Sequence, residues 1–575
     1  DKFLKQGSKL LGFEENNIRV VVGLDFGTTY SGFAYCHVSD EVNICSNDIW
    51  NGNVGQLKTN TVLQYDDEYD NVKLWGAPAL VKKQGRSRTR RQKNSENDKP
   101  VELFKLHLGD LLEELKPKLP VEYKKAITDY LREIGKVIKE IIDTRWPNID
   151  YFENVLLIIT VPAEFSDKAK AIMRICAFDA GLIKEKYSTN LQFTTERKNL
   201  YRQNLAQPGT NFMIVDCGGG TVDLTTRKLV SHNQLGEITE RSGDFCGSTF
   251  VDVEFIKYLR KILGDEPMDL LRDNNYGQMQ YLIQQFCNDG KIPFTGDDPD
   301  FLYELDIRET VPILEQQYVI DDDIRKTLDN DEWIIEIDFE IMESIFKPVI
   351  QKILQLIKTQ LDNAHETCSA MFLVGGFSES KYLQKKIKQK FSSQVNFISV
   401  PTQPTAAISR GAAIYGLSIK LNDLNNVGND DNMKCVISSR VLKYTYGIKV
   451  IPKWKEGDPI HRKVYGDRIE KFDCLATRGT KMDINQEITS TRTPIFSEQK
   501  DMLFGLYYTE EYDGTYCDDP GMKLLGNFIV DLPGSGIGRS VLLGITFGKM
   551  EIIATAKNKQ SGQSYKTTFK FNFDG

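Results

Sequence analysis

Two short glycine-threonine turns, each led by an apolar run that ends in aspartate, set the tightest limit on how this chain folds. The first is Val20-Val21-Val22-Gly23-Leu24-Asp25-Phe26-Gly27-Thr28-Thr29-Tyr30-Ser31-Gly32. The second is Phe212-Met213-Ile214-Val215-Asp216-Cys217-Gly218-Gly219-Gly220-Thr221-Val222-Asp223. Each predicts a buried strand, a tight turn free of bulky side chains, and a second strand. Glycines let a backbone approach a ligand closely, so that consecutive amides can face phosphate oxygens. Threonine hydroxyls add donors, and an aspartate at a strand end can hold a hydrated magnesium ion. A single strand-glycine-strand stretch is ordinarily just a hairpin. Two with the same Asp-x-Gly order indicate a duplicated unit that closes on one nucleotide from two sides.

A third stretch, Met371-Phe372-Leu373-Val374-Gly375-Gly376-Phe377-Ser378-Glu379-Ser380, reads as a strand followed by a glycine pair and a serine. In this order and at these wide spacings, the three stretches resemble the signatures of the actin, hexokinase and seventy-kilodalton heat-shock (DnaK-type) ATPases. The third is similar to that superfamily's adenosine motif. The Gly-Lys-Ser/Thr phosphate loop is absent, which excludes the P-loop class. The resemblance implies an α/β actin-like ATPase domain over residues 18–418, with two ribonuclease-H-like cores and four subdomains. A linker over 419–437 and an all-β sandwich over 438–575 would follow.

Bulk properties agree with a large chain of several cores. It has 575 residues, 40% of them apolar, where the length prior gives about four structural units. A net charge of -8 argues against nucleic acid as a main partner, because phosphate backbones require a basic surface. The ten cysteines are scattered without Cys-x-x-Cys pairs, as expected of free thiols in a reducing compartment. No apolar run approaches the roughly 18 residues of a membrane span. The opening Asp1-Lys2-Phe3-Leu4-Lys5 carries neither a signal-peptide core nor an initiator methionine. A cytoplasmic location without membrane contact is therefore expected.

Helical spacing of Ile127, Tyr130, Leu131, Ile134, Val137, Ile138 and Ile141 predicts a packing helix, as does that of Ile345, Val349, Ile350, Ile353, Ile357 and Leu361. Residues 421–432 are polar turn formers, hence a linker. The heat-shock family's linker is acidic, leucine-rich and docks as a strand, whereas this one offers few apolar side chains to bury. The expectation is that ATP changes client affinity only slightly. Beyond it the period becomes two: Tyr565, Thr567, Phe569, Phe571 and Phe573 alternate with polar residues and are expected to pair with 552–556 through the 559–562 turn. Met522-Lys523-Leu524-Leu525-Gly526-Asn527-Phe528 with Leu532-Pro533-Gly534 is similar to the chaperones' β-sandwich peptide-binding domain. The family's helical lid and acidic tail have no counterpart within these 575 residues, and the branch expected from the resemblance is the divergent, lidless one. The basic run over 82–93 reads as a solvated loop or, alternatively, as a targeting or anion-docking element.

Residue by residue, the resemblance implies a magnesium-dependent ATP/ADP site. Asp25 and Asp216 would hold the metal through water, and Gly27, Thr28, Thr29 and Tyr30 would line the phosphates. Gly218, Gly219, Gly220 and Thr221 would close the other side, with Thr221 and Asp223 near the attacking water. Lys105, in Phe104-Lys105-Leu106, matches a lysine that contacts the γ-phosphate, with a plain surface lysine as the alternative. Glu196 matches a metal-shell glutamate, although Arg197-Lys198-Asn199 replace the residues that ordinarily follow it. Lys291 stands where a lysine clamps the adenosine, with Asn288 in place of the usual acid. Gly247 and Ser248 resemble another nucleotide-contact turn, as do Gly375, Gly376 and Ser378. Thr405 replaces an aspartate, Pro162 matches a proline switch, and Lys170 keeps the charge of that proline's arginine partner. Cys217 reads as a small buried filler or, alternatively, a redox switch.

The function implied is an ATP-hydrolysing molecular chaperone of the stress response. It would grip unfolded or extended clients by strand-like pairing and work with co-chaperones and nucleotide-exchange factors. The alternative is a nucleotide-sensing adaptor with weak or no ATPase activity. A small-molecule kinase on the same fold is disfavoured by the C-terminal β region and the lack of a recognisable substrate loop.

Overall fold

A computed structural model describes residues 17–40, 43–50, 53–81, 100–163, 165–194, 208–231, 234–401, 403–424, 436–547, 551–560, 562 and 564–568. The chain is mixed α/β, and its two large sheets repeat one plan. In the first, the antiparallel hairpin Val20–Phe26/Tyr30–His37 is extended on the side of its first strand by the parallel strands Val155–Thr160 and Leu191–Thr194. In the second, the hairpin Asn211–Cys217/Val222–Ser231 is extended in the same way by the parallel strands Ala370–Val374 and Phe397–Ser399. The duplication expected from the two turns is therefore a duplication of strand order and direction.

The leading strand of each hairpin is buried along its whole length, as the unbroken apolar runs require. Alternation along the strand then divides it between two cores. Val20, Val22, Leu24 and Phe26 join one cluster with Ile127, Tyr130, Leu131 and Ile134 of the helix Tyr123–Arg145. Val21 faces the other way, onto Ala412, Ala413 and Leu417 of the helix Ala407–Leu424. In the second sheet, Met213, Val215 and Cys217 pack with the helices Thr249–Leu263 and Phe339–Asn363, while Phe212 and Ile214 point to the opposite face. Asp338 caps the long helix by accepting from the amide of Ile341 at 2.9 Å. Both helices expected from spacing are present, and both bury the expected stripe. Among the described residues, no helix is long and apolar enough to cross a membrane.

The C-terminal region contains two antiparallel four-stranded sheets. One runs Lys471–Ala476, Thr445–Val450, Asp501–Thr509, Lys523–Asp531, and the other Glu487–Arg492, Val541–Thr546, Ile553–Asn558, Ser564–Thr568. Ile448, Phe504, Leu506 and Val530 from the first share one core with Val541, Leu543, Ile545 and Ala554 from the second. The expected last hairpin forms, with Ala556 opposite Tyr565; residues 569–575 lie outside the described ones.

Two elements flank the expected boundary and linker. The boundary expected at 418 falls inside the helix Ala407–Leu424, which packs on the first sheet. Of the expected linker, residues 425–435 lie outside the described ones. Immediately beyond, the strand Val436–Val441 joins the second large sheet, parallel to Gln234–Glu237 and antiparallel to Lys481–Asp483. Backbone pairing and charge do this work: Glu237 accepts from the amide of Val441 at 3.0 Å, and the buried Arg440 lies 4.0 Å from it. Two bidentate arginine pairs add to the attachment. Arg174 binds Glu551 at 2.9 and 2.7 Å, and Arg478 binds Glu240 at 2.9 and 3.0 Å.

The helix Ala407–Leu424 lies unusually close to its sheet because glycine stands at the contact. A β-carbon on Gly23 would sit 2.3 Å from the Ser409 carbonyl oxygen and 2.5 Å from the Ala413 nitrogen, both backbone atoms that cannot rotate away. Gly23→Ala is therefore expected to destabilise the fold by about 1–3 kcal/mol, as overpacking does. Gly538→Ala, with nothing within 4 Å, is expected to leave stability unchanged. Denaturant midpoints of the two variants check this.

Candidate functional site

The two hairpin turns face one another. A β-carbon on Gly219 would fall 2.1 Å from Thr29 Oγ1, and one on Gly220 would fall 2.5 Å from Thr28 Oγ1. Side chains are absent from one turn so that the threonines of the other can approach. The glycine turn is braced from behind. The amides of Gly247, Ser248 and Thr249 donate to the carbonyls of Gly220, Gly218 and Gly219 at 3.2, 3.1 and 2.9 Å. Since a trans peptide sets its N–H opposite its C=O, the N–H groups of Gly219, Gly220 and Thr221 point away from this brace. Gly247 is thus placed behind the turn rather than in front of it; its own β-carbon would meet Gly219 O at 2.3 Å. The third glycine turn closes a further side. Gly375, at φ 84°, has room for no β-carbon because Asp216 Oδ1 would lie 2.2 Å from it.

Between these turns lies a cavity of about 110 Å³. Asp25, Gly27, Thr28, Thr29, Tyr30, Lys105, Asp216, Gly218, Gly219, Gly220, Thr221, Asp223, Gly375 and Gly376 all line it, together with Pro162 and Thr405. Fourteen of the residues selected as binding or catalytic are therefore brought to one place.

Its electrostatics are set by two lysines among three aspartates. Lys105 is buried in the 3-10 turn Phe104–Leu108, donates to the Phe26 carbonyl and lies 5.2 Å from the centre of the Phe26 ring. Burial brings its ammonium pKa down to about 8, against the upward pull of Asp25 and Asp223 and with Lys58 adding to the fall. Asp25 accepts from Lys58 Nζ at 2.6 Å and from Thr160 Oγ1 at 3.1 Å. Thr221 Oγ1 donates to Asp223 Oδ2 at 3.0 Å, and Asp223 Oδ1 accepts from the Ala163 amide at 2.6 Å. That last bond ties the second hairpin to the Pro162 turn of the first half.

The remaining selected residues stand elsewhere. Ser378 is fully buried and donates to Val374 O at 2.5 Å, which makes it part of the Gly376–Glu379 turn. Lys291 is buried beside Asp252, 2.5 Å away, and also donates to Ser248 O at 3.3 Å. Lys291 and Ser248 line a second, larger cavity of about 960 Å³, which shares Thr28, Thr29 and Tyr30 with the first. Lys170 pairs with Asp167 at 2.6 Å. Glu196 and the basic run over 82–93 lie outside the described residues.

Sequence reading missed Lys58 and Thr160, because nothing local marks a lysine whose partner lies 33 residues away. It also missed a clasp across the larger cavity. Glu102, from the first half, accepts from Tyr276 Oη and Gln280 Nε2 of the second, both at 2.9 Å, while the Val81 amide donates to Gln280 Oε1 at 3.0 Å. Glu102→Ala is expected to weaken this contact by about 1–3 kcal/mol, since buried donors lose a charged acceptor. Amide hydrogen exchange should rise at Val81 and across 276–284 but stay unchanged in the helix Phe339–Asn363.

No family model matches the chain. It is 25% identical over 653 aligned positions to heat shock 70 kDa protein 12A of Mus musculus, covering 97% of this chain and 92% of that protein. The Homo sapiens 12A protein gives the same identity and coverage. Heat shock 70 kDa protein 12B of Homo sapiens is 22% identical over 668 positions, again with 97% and 92% covered. The homologues of this chain are thus heat shock 70 kDa proteins 12A and 12B, divergent members of the seventy-kilodalton heat-shock family.

Proposed function

We infer that the chain is an ATP-hydrolysing chaperone of the heat-shock type. An actin-like unit over 18–418, with two ribonuclease-H-like cores, would bind the nucleotide. A β-sandwich over 438–575, joined through 419–437, would bind extended clients. The observation that carries this reading is the meeting of two like strand-turn-strand units at one cavity, glycine turn against threonine turn.

The residues present fit ATP or ADP. The peptide N–H groups of Gly219, Gly220 and Thr221, the Thr28 and Thr29 hydroxyls and the Lys105 ammonium supply donors and charge for phosphate oxygens. Among the described residues, no three His, Cys, Asp or Glu side chains cluster so as to hold a metal ion unaided. As the resemblance implies, Asp25 and Asp216 would reach magnesium through water, and magnesium bound with the phosphates would supply charge to them. Hydrolysis here requires no protein nucleophile. Thr221, held by Asp223, has a hydroxyl oxygen with which to accept from a water, and Lys105 brings positive charge to the phosphate side. Glu196 belongs to this reading by resemblance alone.

Clients would pair with an exposed strand. Lys523–Asp531 ends its sheet, with Leu524 and Ile529 exposed along it. Co-chaperones and nucleotide-exchange factors are the expected partners, in the cytoplasm, with neither nucleic acid nor membrane. The adaptor reading, with weak or no hydrolysis, is favoured by one observation: the adenosine-side lysine, Lys291, is already paired with Asp252.

Calorimetric titration with magnesium and ATP, then single-turnover hydrolysis with and without an unfolded peptide, separates the readings. Binding with peptide-stimulated turnover supports the chaperone, binding without turnover supports the adaptor, and no binding excludes both. Thr221→Ala is expected to slow hydrolysis by about 10–1,000-fold with ATP affinity nearly kept, because its hydroxyl matters mostly in the transition state. Equal losses of rate and affinity would make Thr221 a simple phosphate ligand. The depressed pKa of Lys105 yields a pH signature. Above about pH 8 a growing share of ligand-free protein carries a neutral amine there, and a polyphosphate raises the pKa again. ATP binding should then take up a proton at about pH 8–9, and affinity should fall as pH rises through that window. Titration in buffers of different ionisation enthalpy reads the uptake, which Lys105→Met should abolish.

A further inference from the structure

We propose that Lys58 is a built-in counter-cation of the phosphate cavity, so that this pocket binds nucleotide polyphosphate with little dependence on a divalent cation. The proposal deepens the nucleotide reading above and rests on it.

Lys58 Nζ lies 2.6 Å from Asp25 Oδ2, and the two side chains are only 10% and 8% exposed. A pair so far removed from water interacts more strongly than a surface pair and is less screened by salt. The fold places this lysine. Thr59 and Asn60 pair in register with Ser31 and Tyr30, which sets Lys58 beside Gly32. Gly32 in turn stands directly opposite Asp25 in the first hairpin. A β-carbon on Gly32 would meet Leu57 O at 2.5 Å and Lys58 Cγ at 2.8 Å. The missing side chain is thus the space in which the lysine stem lies on its way to the aspartate.

Lys58 also lines the cavity shared by the 218–221 turn and Lys105, and its ammonium is the group available there. It has three N–H donors, and one goes to Asp25. As a compact point charge on a flexible stem, it can turn another donor onto a phosphate oxygen while keeping its carboxylate. Pairing with Lys58 has a second effect: it offsets the charge with which Asp25 would attract a hydrated cation. The cavity thereby supplies part of the positive charge that polyphosphate requires from its own side chains.

The test measures ATP affinity of the full chain in saturating magnesium chloride and in excess EDTA, for the wild type and for Lys58→Met. Methionine keeps an apolar stem over Gly32 and removes the charge. Chelation is expected to weaken wild-type binding by less than about tenfold, and Lys58→Met binding by roughly a hundredfold or more, the scale of losing charge-assisted phosphate contacts. The wild-type measurement stands without any variant, and a loss of about a hundredfold or more there overturns the proposal while the nucleotide reading survives. Equal dependence on magnesium in the two proteins overturns it as well. If the wild type binds no ATP in either buffer, both readings fall.

Discussion

The arrangement of the cavity depends on glycine backbone that other groups approach where no side chain could fit. Three contacts have this character: Gly219 and Gly220 against the threonine turn, Gly247 against the 218–220 carbonyls, and Gly375 against Asp216. Each glycine stands where a β-carbon would fall inside another atom's radius. Residues far apart in the chain thus converge to within hydrogen-bonding range of one small volume. The same device operates a layer below, where Gly23 and Gly416 let the helix Ala407–Leu424 sit directly on the sheet that carries Asp25. Any expansion of that contact would be transmitted along the strand Val20–Phe26 to its terminal aspartate.

Within this close-packed frame, charge is distributed in short local exchanges. Asp25 is satisfied by Lys58 and Thr160, Asp223 by Thr221 and the Ala163 amide, and Lys105 by a carbonyl under two aromatic rings. Burial of these groups raises the strength of each bond and also the cost of leaving one unmade. The cavity is therefore preorganised: a ligand enters an arrangement of donors already held by their neighbours.

Much of this was legible in the sequence, for physical reasons. Unbroken apolar runs ending in Asp-x-Gly leave few alternatives to a buried strand and a side-chain-free turn, so the hairpins at Asp25 and Asp216 could be read directly. The helical stripes at Ile127–Ile141 positions and at Ile345 onward follow from periodicity. What escaped notice involves partners remote in the chain. Lys58 looks like any loop lysine until strand pairing carries it to Asp25. Lys291 matches a spacing, yet its surroundings give it Asp252 as a neighbour. Ser378 stands in the expected motif, but its hydroxyl turns back to Val374. The docking of Val436–Val441 was hidden because its affinity for the sheet resides in main-chain groups, which composition does not register.

The C-terminal region is fastened to both halves of the cleft. Arg174 holds it to the first half through Glu551; Arg478 and the strand Val436–Val441 hold it to the second. It therefore bridges the two halves. The halves can swing apart only if one fastening parts, and a bidentate arginine pair parts as a unit, not by degrees. Separating the halves would thus break a paired contact remote from the cavity as well as the contacts that line it.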